Sequence, residues 1–311
     1  MPSLKHKDLL SIQELTSSEV WDILELAKKL KKSRYKPLLT GKSLAIIFEK
    51  PSIRTRVSFE VAMVQLGGKA IDLDPISIRF SGNESTEDIS KTLSRYVDGI
   101  VVRTFAHDKL EHISKIASVP VINGLTDSYH PCQALADVFT VWEKKAKKGS
   151  RVFEGLKFAY IGDGNNVCNS LLSTCAKVGL DFWAACPKGY EPNSQTVKLG
   201  LFDAGQNCSQ IILTDDPAAA AKDADVIYTD VWTSMGQEDE TEKRKNIFKP
   251  FQVNKVLVKK AKPDVIVMHC LPAHRGEEIT SDVIDGPNSV VFDETENRLH
   301  VQKAILVKLL K

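Results

Sequence analysis

The chain has 311 residues, enough for one large or two medium domains with real cores, and its 42% hydrophobic and 26% charged content is ordinary for a soluble globular protein. With 42 basic against 40 acidic side chains and a formal charge of +2, it carries no global signature for nucleic acid or membrane, so any anion site must be local. No signal core, transit peptide or apolar run of membrane length is readable, and the six cysteines lack CxxC spacing; the expectation is a cytoplasmic protein with reduced thiols.

Thr16 to about Lys32 reads as a helix capped by Thr16 or Ser17, with Val20, Ile23, Leu24, Ala27 and Leu30 on one face. A strand over 43–48 follows. Ser52-Ile53-Arg54-Thr55-Arg56 then opens a helix that runs to Leu66, is expected to bury Val57, Val61 and Val64, and is stopped by Gly67-Gly68. Backbone N–H groups, two hydroxyls and two arginines can converge there, either as a phosphate cradle or as a capped surface helix with solvated arginines. Residues 70–73 suit a short strand, and 74–85 a polar loop carrying Arg79. A helix over 86–96 leads to the strand Gly99-Ile100-Val101-Val102-Arg103. A charge in that last position points into the crevice at a sheet's carboxyl edge more often than into a core. After a helix over 110–117 and a strand over 119–122, His130-Pro131-Cys132-Gln133 opens a helix to about Lys145, with Pro131 in its first turn and His130 at its mouth.

The lysine-rich run over 144–150 is the best candidate boundary. A strand over 157–161 meets Gly162-Asp163-Gly164-Asn165-Asn166-Val167 and a helix to Val178. Val167 stands where a dinucleotide fingerprint has its third glycine and no acidic residue closes the next strand, 181–186, so a nicotinamide cofactor is not expected. The two asparagines can instead present amides to a zwitterion. Strands over 210–213 and 225–229 flank a short helix at 217–222. The second delivers Asp230 and the loop Ser234-Met235-Gly236, a place to hold a substrate amine. The last strand, 264–268, ends in His269-Cys270-Leu271-Pro272. His269, Cys270 and His274 lack a clear carboxylate partner and make a weak metal signature, so no metal is expected, and Cys270 is the cysteine expected to be reactive. A helix over 294–310, with Asn297-Arg298 in its opening turns, closes the chain.

In this order, from about Asp8 to Leu310, these stretches resemble the aspartate/ornithine transcarbamylase family, and within it the ornithine enzymes. Ser52-Ile53-Arg54-Thr55-Arg56 is similar to the family's carbamoyl-phosphate motif, with Ile53 where a small hydroxyl residue is usual. His130-Pro131-Cys132-Gln133 resembles its second phosphate-side motif, and Arg103 its strand-end arginine. Asp230-Val231-Trp232-Thr233-Ser234-Met235-Gly236 and His269-Cys270-Leu271-Pro272 resemble the pieces that separate ornithine from aspartate enzymes.

The resemblance implies an α/β protein of two domains, 1–147 for carbamoyl phosphate and 148–293 for ornithine, each with a mainly parallel sheet flanked by helices. The site is expected in the interdomain cleft, and the helix over 294–311 is expected to pack back on the first domain. The implied reaction moves the carbamoyl group of carbamoyl phosphate to the δ-amine of L-ornithine, giving citrulline and phosphate, in arginine biosynthesis. A homotrimer or an assembly of trimers is implied, with no cofactor and no metal. By the resemblance, Ser52, Ile53, Arg54, Thr55, Arg103, His130, Gln133, Cys270, Leu271 and Arg298 bind carbamoyl phosphate, and Asn166, Asp230, Ser234 and Met235 bind ornithine. Arg103, His130, Cys270 and Asp230 carry the catalysis. Arg56 braces the loop or a subunit contact, and Arg79 stands about where related enzymes reach a glutamine or lysine into a neighbouring subunit's site, a departure that leaves its role open.

Overall fold

The computed structural model describes residues 8–73, 85–147, 150–153, 155–236 and 238–311; Arg79 and its loop lie outside them. The chain forms two compact units, Met1–Ala136 with Glu296–Lys311, and Asp137–Thr295, so the division falls within two helices.

The first unit runs α1 (Ser17–Lys31), β1 (Ser43–Phe48), α2 (Ile53–Gln65), β2 (Lys69–Leu73), α3 (Thr86–Tyr96), β3 (Gly99–Arg103), α4 (His107–Ile116), β4 (Val121–Leu125) and the start of α5 (Pro131–Lys145). Helix α1 begins on a reciprocal cap. The Thr16 hydroxyl accepts from the Glu19 N–H at 3.2 Å, and the Glu19 carboxylate accepts from the Thr16 N–H at 2.9 Å. All five expected apolar residues of α1 are buried, with Trp21 added.

Helix α2 departs from expectation. Val57 and Val64 are 48% and 64% exposed, and the buried face is Thr55, Phe59, Ala62 and Met63. Apolar residues sit at helical spacing on two faces of this segment, and the face carrying Phe59 removes more area from water when buried. The strand expected at 119–122 starts at Val121 instead, because Pro120 has no N–H to give the ladder, and it continues through Asn123 and Gly124 to Leu125. The sheet is fully parallel in the order β2-β1-β3-β4, with Ala45, Ile47, Ile100, Val102 and Val121 packing against Leu110 and Ile113 of α4.

The second unit continues with the rest of α5, then β5 (Lys157–Ile161), α6 (Asn166–Val178), β6 (Asp181–Ala185), α7 (Ser194–Gln206), β7 (Ile211–Thr214), α8 (Pro217–Ala221), β8 (Val226–Thr229), α9 (Thr241–Phe248), α10 (Lys255–Val258), β9 (Ile266–His269), α11 (Ser281–Ile284) and the start of α12 (Val291–Leu310). Its parallel sheet has the order β7-β6-β5-β8-β9. Strand β5 shows the period of two: Ala159 and Ile161 enter one aliphatic core, while Phe158 and Tyr160 stack with Tyr228 at 5.8 and 5.9 Å between ring centroids on the other face.

Helix α7 has no counterpart in the sequence reading, since Gly200 and Gly205 weaken its helical pattern. Gly200 is there for contact: a Cβ would stand 2.2 Å from Leu172 Cδ2 of α6. Helix α12 is buried all round from residue 301 to 310, including Lys303, whose ammonium donates to Gln65 Oε1 at 3.1 Å. Among the described residues no helix is long and apolar enough to cross a membrane.

Candidate active site

Each sheet has one place where its winding reverses, and in open α/β sheets ligands bind at the carboxyl ends of the strands there. In the first unit that place lies between β1 and β3, whose last residues, Phe48 and Arg103, are register partners. Ser52 follows β1 and caps α2, its Oγ accepting from the Thr55 N–H at 3.3 Å. Ile53, Arg54 and Thr55 therefore form a first turn whose N–H groups the helix itself does not satisfy and whose dipole favours an anion. The Ile53 side chain is 82% exposed, so its backbone is what it can offer a ligand.

Arg298 on α12 donates to Thr55 Oγ1 at 3.0 Å and, through its other terminal nitrogen, to Gln133 Oε1 on α5. Arg103, His130, Gln133 and Arg298 are all buried. His130 is held well below the ordinary imidazole range, first by burial and then by the positive charges of Arg298, Arg103 and Arg54. Three guanidiniums around a neutral imidazole suit an anion with several oxygens. Arg56 does not join them. It pairs with Asp72 at 3.0 Å and lies over the Phe48 ring, bracing β1 and β2.

The depressed His130 sets a pH dependence. The unfolded chain takes up a proton below about pH 6.5, where folded His130 stays neutral, so this contribution to stability is present above that pH and is lost as pH falls through it. Urea midpoints at pH 7.5 and 5.5 should drop further in the wild type than in His130→Asn.

In the second unit the reversal lies between β5 and β8, knitted by Thr229 Oγ1 donating to the Ile161 carbonyl at 2.7 Å. Gly164 must be glycine, since a Cβ would lie 2.3 Å from the backbone of Glu191 and Pro192. Asn165 caps α6, accepting from Val167 N and Cys168 N at 3.0 and 3.1 Å, and its amide donates to Asp230 Oδ2 at 2.8 Å. Of the two asparagines expected to meet a ligand, Asn165 is thus engaged in holding Asp230, and Asn166 opens the helix beside it.

Asp230 Oδ1 accepts from the Cys270 thiol at 3.0 Å and from Val231 N at 2.8 Å. This corrects the expectation of a reactive Cys270. Burial, then the Asp230 carboxylate, push the thiol well up, so it is a protonated donor rather than a thiolate nucleophile. Leu271 follows with φ of +57° and a cis bond to Pro272. On the loop after β8, Ser234 is half-buried and Met235 exposed.

Asp230, His269 and Cys270 could by distance hold a metal ion, as could His274, Glu277 and Glu278. In the first group the thiol proton is directed at Asp230 and both His269 ring nitrogens are engaged. In the second, Glu277 pairs with Lys245 at 3.0 Å and Glu278 accepts from His274 N.

Two buried polar pairs escaped the sequence reading. Arg244 donates to Asp163 and to the Trp232 carbonyl, tying the Asp230 loop to the β5–α6 loop, with its guanidinium over Tyr190 and Phe248. The signal available was Asp163 inside the glycine turn, but nothing in the spacing names its partner. Arg244→Met should lower stability and raise the KM for the acceptor, because the tie between the two loops is lost while Asp163, already pushed up to about 7 by burial, takes up a proton; chemical denaturation and initial rates check both. The second pair is Glu294 with Asp137. Glu294 accepts from His269 N at 3.0 Å and is held well above the carboxylate range by burial and by Asp137, so one carboxyl of the pair keeps its proton.

Residues 7–143 match the family described as aspartate/ornithine carbamoyltransferase, carbamoyl-P binding domain, and residues 154–309 its Asp/Orn binding domain. The chain is 56% identical to the ornithine carbamoyltransferase of Pyrococcus horikoshii over 99% of this chain and 97% of that one. To the anabolic ornithine carbamoyltransferase of Pyrococcus furiosus it is 54% identical, over 99% and 98%. A solved structure of ornithine carbamoyltransferase from Pyrococcus furiosus superposes with a TM-score of 0.95 at 53% identity, covering 100% of this chain and 99% of that one. Both halves of the chain, each with one reversal in its sheet, thus match the two halves of one enzyme family, and the chain belongs to the aspartate/ornithine carbamoyltransferases.

Proposed function

We propose that this chain transfers the carbamoyl group of carbamoyl phosphate to the δ-amine of L-ornithine, giving L-citrulline and phosphate. The observation that carries the reading is the buried set Arg103, His130, Gln133 and Arg298, with Arg298 bonded to both Thr55 and Gln133 at the mouth of α2. Carbamoyl phosphate needs its phosphate held as a dianion and its carbonyl polarised without donating a full proton. The α2 N-terminus, from Ser52 to Thr55, and Arg298 hold the phosphate, and Arg103 spans the phosphate and carbonyl oxygens. His130, neutral, donates a hydrogen bond to the carbonyl oxygen as the tetrahedral oxyanion forms. The Gln133 oxygen can accept twice, from Arg298 and from the carbamoyl amide. The Leu271 carbonyl accepts from the same amide.

Ornithine is held by Asn166 and the Ser234-Met235 segment at its α-groups. Asp230 orients the δ-amine, and the Cys270 thiol, bonded to Asp230, lines that end. The amine attacks in its neutral form: a C–N bond forms, the C–O bond to phosphate breaks, and the amine proton leaves on the phosphate. No residue need form a covalent intermediate. A relative named as anabolic supports a role in arginine biosynthesis. The proposal extends to a cytoplasmic homotrimer, checked by light scattering of the purified protein. Initial rates with ornithine, N-acetylornithine, putrescine and aspartate test the acceptor. Ornithine should lead in kcat/KM by at least about 10³-fold, since a site built to bond both α-groups rejects putrescine and N-acetylornithine, and aspartate has no δ-amine to present. Preference for another acceptor would leave the phosphate half standing and overturn the roles of Asn166, Asp230 and the Ser234 loop.

A further inference from the structure

His269 ends β9, is completely buried, and is engaged at both ring nitrogens. The Leu271 N–H donates to Nδ1 at 2.8 Å, and Nε2 stands 3.2 Å from Glu278 Oε1. A nitrogen that accepts an N–H carries no proton, so Nδ1 presents its lone pair and Nε2–H donates to Glu278. Glu278 is itself fixed. It is fully buried, the same oxygen accepts from His274 N, and its backbone carbonyl accepts from Val253 N at 2.8 Å. The imidazole is therefore held between a carboxylate anchored in the core and the loop backbone it supports.

That backbone is unusual. Leu271 has φ of +57°, a region a leucine seldom enters, and its N–H is held there by the ring. We infer that His269 is a positioning residue for carbamoyl transfer: it clamps the Leu271 peptide so that the Leu271 carbonyl and the adjoining Cys270 meet the reacting groups, while Glu278 fixes its tautomer. The inference rests on the function proposed above, in which the Leu271 carbonyl receives the carbamoyl amide. Freed from the ring, the peptide can turn, and a displacement of about 1 Å at a reacting group is worth about 10²-fold in rate. A buried ring oriented by a carboxylate acts here on a backbone amide as such rings act on metals, with effects of similar size.

Two variants separate clamp from filler. His269→Asn places an amide oxygen near Nδ1 and keeps the acceptor for Leu271; His269→Gln reaches toward Glu278 and offers Leu271 nothing. Citrulline formation should show kcat within about ten-fold of wild type for H269N and reduced by about 10²-fold or more for H269Q, with ornithine KM changed less than about three-fold. Hydrogen exchange of the peptide spanning 270–276 should quicken in H269Q and not in H269N. Equal losses of kcat with equal exchange in both variants would overturn the clamp. Should H269Q fail to fold, Glu278→Leu removes the acceptor at the other end and should cost at least about ten-fold in kcat, with Glu278→Gln restoring most of it; failure of restoration overturns the inference. A wild type that makes no citrulline would instead overturn the proposed function, and the exchange measurement would still decide the clamp.

Discussion

Arg103→Ala should lower kcat/KM for carbamoyl phosphate by about 10³-fold, the loss of about 4 kcal/mol of transition-state binding. The side chain is buried at the end of β3, among the groups that hold His130 neutral, so it acts where charge builds on the oxyanion and the leaving phosphate. Lysine at this position should recover only part of the rate, because a point charge cannot span two sets of oxygens as a planar fork does. Near-normal kinetics in Arg103→Ala would remove Arg103 from the site.

Asp230→Asn should lower kcat/KM for ornithine by about 10²- to 10³-fold while leaving the carbamoyl-phosphate KM within about three-fold. The carboxylate accepts from Asn165, Val231 and Cys270, and an amide in its place must turn a donor toward donors. A second readout follows from the thiol. Asp230 is, after burial, the largest cause holding Cys270 up, so losing that charge lowers the thiol's pKa. Alkylation of Cys270, followed site by site with mass spectrometry near pH 8, should therefore be faster in Asp230→Asn than in wild type. Slower or unchanged alkylation would contradict the assigned contact.

Much of the framework was legible in the sequence because its signals are local. The strands at 43–48, 99–103 and 157–161 are short apolar runs bounded by turn residues, and the helices at 86–96 and 166–178 start on a side-chain cap or a glycine turn. Helix α2 was misread on its buried face because two apolar stripes compete and only tertiary packing chooses between them. Helix α7 was missed because its glycines look like breaks, when one of them is a contact with Leu172.

Around the candidate site, the placement of Arg103 and Asp230 at strand ends, and of His130 and Ser52 at helix mouths, was readable. Their partners were not, since Arg298 meets Thr55, and Arg244 meets Asp163, across sequence separations that no period encodes. The state of Cys270 was unreadable for the same reason, as its thiol is set by a carboxylate forty positions away.

Carbamoyl transfer is tested most directly with carbamoyl phosphate labelled with ¹³C at the carbonyl, incubated with purified protein and ornithine and followed by NMR. The label should move into the ureido carbon of citrulline as phosphate appears in equal amount, at a rate proportional to enzyme and lost in Arg103→Ala. Label that stays in carbamoyl phosphate, or decays only to bicarbonate at the uncatalysed rate, from folded wild-type protein would contradict it.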